Sequence, residues 1–444
     1  MTNMGIRTKP IFPLLLSYAL PMVISMLINS LYNIVDTFFV AKLGEDAVTA
    51  LSLIFPLQNM IISISVGFGI GINAVISFCR GAKQEDLAHT AATHGLVYAC
   101  LHTILLTAMG ILIMPTFLSW FTSSVGIQAL ALTYGNIVFS FTFAVVIGVT
   151  FEKMFQAVGK MKATMVSLAL GCITNIILDP LLIFGIGPFP KWGIAGAAIA
   201  TGIGQVVSLM IYLWLFLMRP LPVRISKKYL KSNWQIDGKI YAVGIPATLN
   251  LALPSVFIGA LNGMLAAFPG YVVILGIYYK LQTFLYLPAN GIIQGLRPLI
   301  GYHYGAKLMR RVWLLYRCAL LFIGAMMLLG MVGTYVFAES LMGLFTTNLE
   351  TITDGADALR IIALGFVASA VSITTSGALE GLGKGGESLL IMTCRYVIVI
   401  LPIAYGLLYA IGAAAVWHAF WLTEIAAALL SGAIMVHFFR TNPY

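Results

Sequence analysis

Along this chain the polar residues come in clusters and the apolar residues in runs. Stretches such as "FSFTFAVVIGVTF" (139–151) and "AIGAAAVWHAFWLTEIAAALLSGAIMVHFF" (410–439) recur with short gaps between them. They lack the apolar–polar alternation of a barrel strand, and many reach the roughly 20 apolar residues that cross a bilayer core as a helix. Apolar runs bounded by polar breaks predict twelve helices. They lie near 12–40, 47–79, 88–118, 127–158, 162–186, 194–218, 242–267, 270–303, 311–338, 355–382, 387–411 and 414–438.

The twelve fall into two similar halves. "YALPMVIS" and "VGIPATLN" open the first helix of each half. "RGAKQEDLA" and "YGAKLMRRV" close the second, and "FQAVGKMKA" and "LEGLGKGGE" close the fourth. Pro21 and Pro246 are 225 residues apart; Gly81 and Gly305, and Gly159 and Gly383, are each 224 apart. Three matches at one offset predict two six-helix repeats, 1–218 (the N-lobe) and 242–444 (the C-lobe), joined by a cytoplasmic linker, 219–241. Six is even, so both repeats enter the membrane from the same side. That implies bundles related by a pseudo-two-fold axis along the membrane normal, with a substrate site between them.

Composition fits this picture. Of 444 residues 60% are hydrophobic and 9% charged, with a mean hydropathy of +0.98. A soluble domain carries about 25% charged residues, so the chain is expected to be an all-α polytopic membrane protein. Arg7 and Lys9 precede an apolar segment too long for a signal-peptide core, so the first helix is expected to serve as its own insertion signal. The net charge of +10 is placed on alternate loops, as the positive-inside rule requires. This predicts a cell-membrane protein with both termini in the cytoplasm and no nucleic-acid partner. The five cysteines form no CxxC pair, which argues against a disulfide framework or a metal cluster.

The charges inside helices change the picture most, because a carboxylate or ammonium at a helix centre costs about 2.5–3.5 kcal/mol to insert. In "INSLYNIVDTFFVAKLGE" (28–45), Asn29, Asn33 and Asp36 lie four and three residues apart, one stripe of a helix. In "CITNIILDPLLIFG", Asn175 and Asp179 share a face. Both acids are expected in the outer half of the membrane. If they meet, they titrate as a coupled pair, which describes a proton site. The same oxygens could hold Na⁺, and a structural Asp–Asn hydrogen bond is the alternative. Glu152 is expected to attract a cationic substrate, with Gln156 one turn on, or else to pair with a neighbouring helix; its neighbour Lys153 is expected on another face. Lys280, Arg297 and Arg395 put basic groups in the second half, where the 224-residue offset finds no copy of the two aspartates. "GFGIGIN" (67–73) imitates a nucleotide loop but lies in an apolar helix, where glycines serve close packing.

"YALPMVISMLINSLYNIVDTFFVAKLG" and "TNIILDPLLIFGIGPFPKWGIAGAAIATGIGQ" resemble the MATE family, the multidrug and toxic compound extrusion transporters. The "NIILDP" form is similar to the DinF-like branch with its MepA-like members, and the resemblance covers nearly the whole chain. It implies twelve helices in two bundles, and drug export driven by cation entry. It assigns the cation site to Asp36, Asn175 and Asp179, with Thr201 completing it, marks Pro21 as the point where the first helix bends, and gives Glu152 an acidic position known in the branch.

The expectation is therefore a monomeric antiporter, not an enzyme, with no cofactor. It exports amphipathic, cationic drugs or metabolites by alternating access, coupled to H⁺. Asp36, Asn175, Asp179, Asn33 and Thr201 form the cation site; Glu152, Gln156, Lys280 and Arg395 touch substrate; Pro21 is the hinge. The alternatives are a Na⁺-coupled exporter, or a lipid-linked oligosaccharide flippase in which Lys280, Arg297 and Arg395 bind pyrophosphate.

Overall fold

A computed structural model describes residues 3–218 and 221–442. Arg219, the first residue of the expected linker, lies outside the described residues, as do the two chain ends. The regular elements among the described residues are all helices, without a strand. A short α1 (Asn3–Thr8) leads into α2 (Ile11–Ala41), α3 (Glu45–Gly81) and α4 (Glu85–Phe121). Then come α5 (Val125–Ser140), α6 (Thr142–Ala157), α7 (Met161–Phe184) and α8 (Ile194–Met218). The second half runs α9 (Trp234–Met264), α10 (Pro269–Gly305), α11 (Met309–Gly343), α12 (Leu349–Ala363) and α13 (Phe366–Gly381). It ends with α14 (Gly385–Thr393), α15 (Ile400–Ala410) and α16 (His418–Thr441).

Among the described residues, ten spans are long and apolar enough to cross a bilayer, and twelve if the bent pairs α5–α6 and α12–α13 each count as one. Trp120, Trp192, Trp214 and Trp234 stand exposed at helix ends or in a connecting loop, where an aromatic belt meets the interface.

The repeat is visible in the backbone. Lys83 and Lys307, 224 residues apart, both take the left-handed conformation, with φ of 61° and 57°. Gly159 and Gly383, also 224 apart, both have φ of 79°. Each follows the end of a helix, where a left-handed residue lets the chain turn back. The fourth and tenth spans, expected as single helices, are broken at equivalent places. The bends are 44° at Phe141 and 53° at Leu364–Gly365. At the first, the Thr142 hydroxyl donates to Phe139 O at 2.7 Å, a local bond that competes with the helical ladder, and the Phe141 ring fills a notch over Gly202. At the second, the Ser369 hydroxyl donates to Phe366 O at 2.7 Å. The eleventh span is also interrupted, by a π-turn over Cys394–Ile398.

Packing divides the chain into Met1–Val23 with Leu249–Tyr444, and Ile24–Thr248. This differs from the division at 218 and 242, because two helices are shared out. The first half of α9 packs in the second unit against Gly67 and Gly71 of α3. A side chain on Gly67 would overlap Thr248, and one on Gly71 would overlap the Ile240 carbonyl. The first half of α2 packs in the first unit against Gly291 and Gly295 of α10, where an added Cβ would lie 2.7 Å from Val23 Cα and from Ala19 N respectively. The two glycine pairs are themselves 224 residues apart. The nucleotide-loop imitation is therefore a packing notch.

The seventh span begins at Trp234, eight residues before the expected 242, because Asn233 Oδ1 caps it by accepting from Ile236 N at 3.2 Å. The remaining linker is strapped to α4. Arg224 N donates to His89 Nδ1 at 3.0 Å, Tyr229 OH donates to Asp86 at 3.0 Å, and His94 Nδ1 bonds Asp237 at 2.7 Å.

Candidate cation site

Three helices of the unit Ile24–Thr248 build the site. On α2, a residue three or four places along returns to the same face, so Asn29, Tyr32 and Asp36 form one line. On α7, Asn175 and Asp179 are one turn apart and both are buried. Pro180 follows within the helix, and its missing N–H frees a backbone carbonyl one turn back. On α8, small residues (Gly196, Ala197, Ala200, Gly204) let α7 approach until an added Cβ on Gly171 would lie 2.7 Å from Gly204 O. That approach carries Thr201 to Asn175.

The Asp36 and Asp179 carboxyls lie within hydrogen-bonding reach of each other. Asp179 has no measurable exposure and Asp36 is 8% exposed. A carboxyl–carboxyl hydrogen bond needs one proton, since two carboxylates only accept. Asn175, with its NH₂ turned to the acid, donates to Asp179 Oδ2 at 3.1 Å. Its carbonyl then accepts from Thr201 Oγ1 at 3.3 Å and Thr201 N at 3.0 Å. Tyr32, on the α2 side, lines the same cavity as Thr201. Asp36 Oδ1 is buried without a hydrogen-bond partner, an acceptor left for a proton, a water or a hard cation. All the side-chain ligands on offer are oxygens, the donor set of hard cations rather than of zinc or iron. Among the described residues, no group of three or more His, Cys, Asp or Glu is placed to hold a metal ion.

Asn33, expected in this site, is turned away from it. It is exposed, and its amide donates to Asn29 O at 2.7 Å. Tyr32 stands in its place; a tyrosine in an apolar helix carries no sequence signal of its own. Pro21 lies inside the unbroken α2, two residues before that helix passes from one unit to the other.

The expected substrate groups are distributed differently. Lys153 Nζ bonds Glu152 Oε1 at 2.7 Å, although consecutive residues point apart on a helix; the long lysine stem folds back. Gln156 Nε2 also donates to Glu152 Oε1, at 2.8 Å. Glu152 lines a cavity that reaches Asn29, Tyr32, Asn175 and Thr201. Arg395 is 3% exposed, and its Nε donates to Glu424 Oε1 and Oε2 at 2.8 and 2.9 Å. It is spent on a buried ion pair, so the structure does not present it to a ligand. Arg297 pairs likewise with Glu380, through two bonds of 2.7 Å to Oε2. Lys280 is exposed, 5.7 Å from the centre of the Phe345 ring.

Apolar helices in two repeats, with a buried oxygen-only site inside one unit, define a multi-pass membrane transporter. The family model MatE matches residues 21–181 and 246–405, and the chain belongs to that family. It is 26% identical over 403 residues to the multidrug export protein MepA of Staphylococcus aureus (strain MSSA476), covering 89% of this chain and 87% of that protein. It is 28% identical over 409 residues to an FAD transporter of Shewanella oneidensis, covering 90% and 89%. Its fold matches an outward-facing multidrug resistance MATE family transporter with a TM-score of 0.92 at 24% identity, covering 100% of this chain and 99% of that one.

Proposed function

We propose that the chain exports amphipathic, cationic small molecules as an antiporter driven by proton entry, with Asp36 and Asp179 as the coupling pair. The observation that carries this is the pair itself. Two buried carboxyls within hydrogen-bonding reach, backed by Asn175 and Thr201, fit a group that holds one proton and yields it. Facing inward, the deprotonated pair favours the drug-loaded state; facing outward, proton uptake neutralises the pair and drug affinity falls. A ligand shifts such an equilibrium only by its differential affinity for the two states. Pro21, beside the point where α2 passes between units, is the proposed hinge of that change. The protein works as a monomer with both termini in the cytoplasm.

The sign of the pH dependence follows. Binding of an ethidium-like dye should weaken as the pH falls, because protons and dye compete for one equilibrium, and the dependence should flatten in Asp36→Asn. A dye affinity that rises with acidity would sink the scheme. Sodium coupling is the second possibility, since the same oxygens suit Na⁺. The flippase alternative loses support from the arginines: Arg297 and Arg395, two of the three cations it needs, already face Glu380 and Glu424.

A further inference from the structure

The carboxyl pair is buried, so its proton needs a route. We propose that Glu152 is the proton acceptor on the cytoplasmic side of the pair, reached through the cavity inside the unit Ile24–Thr248 that ends at Asn175 and Thr201 beside Asp179. This rests on Asp36 and Asp179 being the coupling site.

One cavity touches Glu152 on α6 and, further along, Asn175 and Thr201, the two residues bonded to or beside Asp179. Gln205 and Ser208 line it between these ends, on successive turns of α8. On α7 it extends from Leu168 to Asn175, about 10 Å at 1.5 Å per residue. Its size suits a few waters rather than a drug. Gly148 leaves space on the α6 wall. Gly148 has nothing nearer a built Cβ than Leu209 Cβ, at 4.0 Å.

Among the described residues, Glu152 is the single carboxylate lining the cavity. Both hydrogen bonds it accepts, from Lys153 and from Gln156, end on Oε1, which leaves Oε2 for water. The other titratable groups facing this space are Tyr32, Cys172 and Tyr212, together with Lys153 beside the acid. In the transfer, the O–H bond on the shared proton of the pair breaks. Water carries the proton unchanged in number, and an O–H bond forms at Glu152 Oε2. Loss of that proton to the cytoplasm restores the Lys153–Glu152 ion pair.

The test is stopped-flow proton release from the full-length protein in weakly buffered detergent when an ethidium-like dye is added, together with the dye's Kd. Glu152→Gln should slow release about tenfold at saturating dye, a barrier change of about 1.4 kcal/mol. Gly148→Val, which narrows the cavity without touching an ionisable group, should slow release as well. Parental release rates in both variants would overturn the relay. So would a tenfold weaker dye Kd in Glu152→Gln with release unslowed, which would make Glu152 a drug ligand. Undiminished release in Asp36→Asn and Asp179→Asn would instead overturn the coupling site, and the relay with it.

Discussion

At the scale of single residues, the cation site is a chain of hydrogen bonds from Thr201 to Asn175 to Asp179. A hydrogen bond to a charged group is worth about 1.5–3 kcal/mol. Asn175→Ala, which removes a donor to the carboxylate, should therefore move the acid dependence of dye binding to about ten- to hundredfold lower proton concentration, and Thr201→Ala, one neutral bond further out, should move it less; profiles that overlay the parent would show that neither residue acts on the pair. The Arg395–Glu424 ion pair makes a different claim. Leaving one buried charge alone costs about 3–5 kcal/mol, whereas replacing both partners with apolar residues is often neutral. Glu424→Gln should lower the thermal unfolding midpoint in detergent more than the double variant Arg395→Met/Glu424→Leu; the opposite order would show that the pair itself stabilises the fold. Spacing alone made Asp36, Asn175 and Asp179 legible, because acids and amides in apolar helices are expensive and therefore conspicuous. It misplaced Asn33, since positions 32 and 33 both lie within a turn of Asp36 and only packing chooses between them. Glu424 was mute because its partner, Arg395, lies 29 residues away on another helix.

At the scale of elements, the glycine notches decide how helices associate. Without water between them, membrane helices gain stability from close backbone approach. Gly71→Leu should destabilise the protein by about 1–3 kcal/mol, the usual cost of overpacking, because even a Cβ there overlaps the Ile240 carbonyl. Gly259→Leu, with nothing within 4 Å of its Cβ, is the control. Equal thermal midpoints for the two variants would remove the notch. Helix number and approximate limits were readable from apolar runs, since hydropathy reports the lipid directly. The bends at Phe141 and Gly365 were not, because they arise where serine and threonine hydroxyls take up carbonyls and a neighbouring helix supplies a gap, and neither break carries a proline. The early start of α9 was hidden by Asp237 and Lys239, which read as loop although Asn233 caps a helix.

At the scale of the whole molecule, two tandem repeats carry unequal chemistry. The unit Ile24–Thr248 holds the carboxyl pair, whereas in the other unit the buried Glu380 and the half-buried Glu424 are each matched by an arginine. The offset between halves was legible because turns conserve glycine and lysine where the backbone is left-handed. The sharing of α2 and α9 between units was not, because it depends on which surfaces meet. The strapped segment 221–233 is basic, and a cysteine placed at Lys228 should react with an impermeant maleimide only from the cytoplasmic side; labelling from outside would invert the topology. The most direct measurement of what the molecule does is efflux of an ethidium-like dye from proteoliposomes under separate pH and sodium gradients, for the parent, Asp36→Asn and Asp179→Asn. Proton coupling through the pair predicts efflux that follows the pH gradient in the parent and falls to less than about a tenth in each variant. Undiminished pH-driven efflux in both variants, or efflux that follows sodium alone, would contradict it.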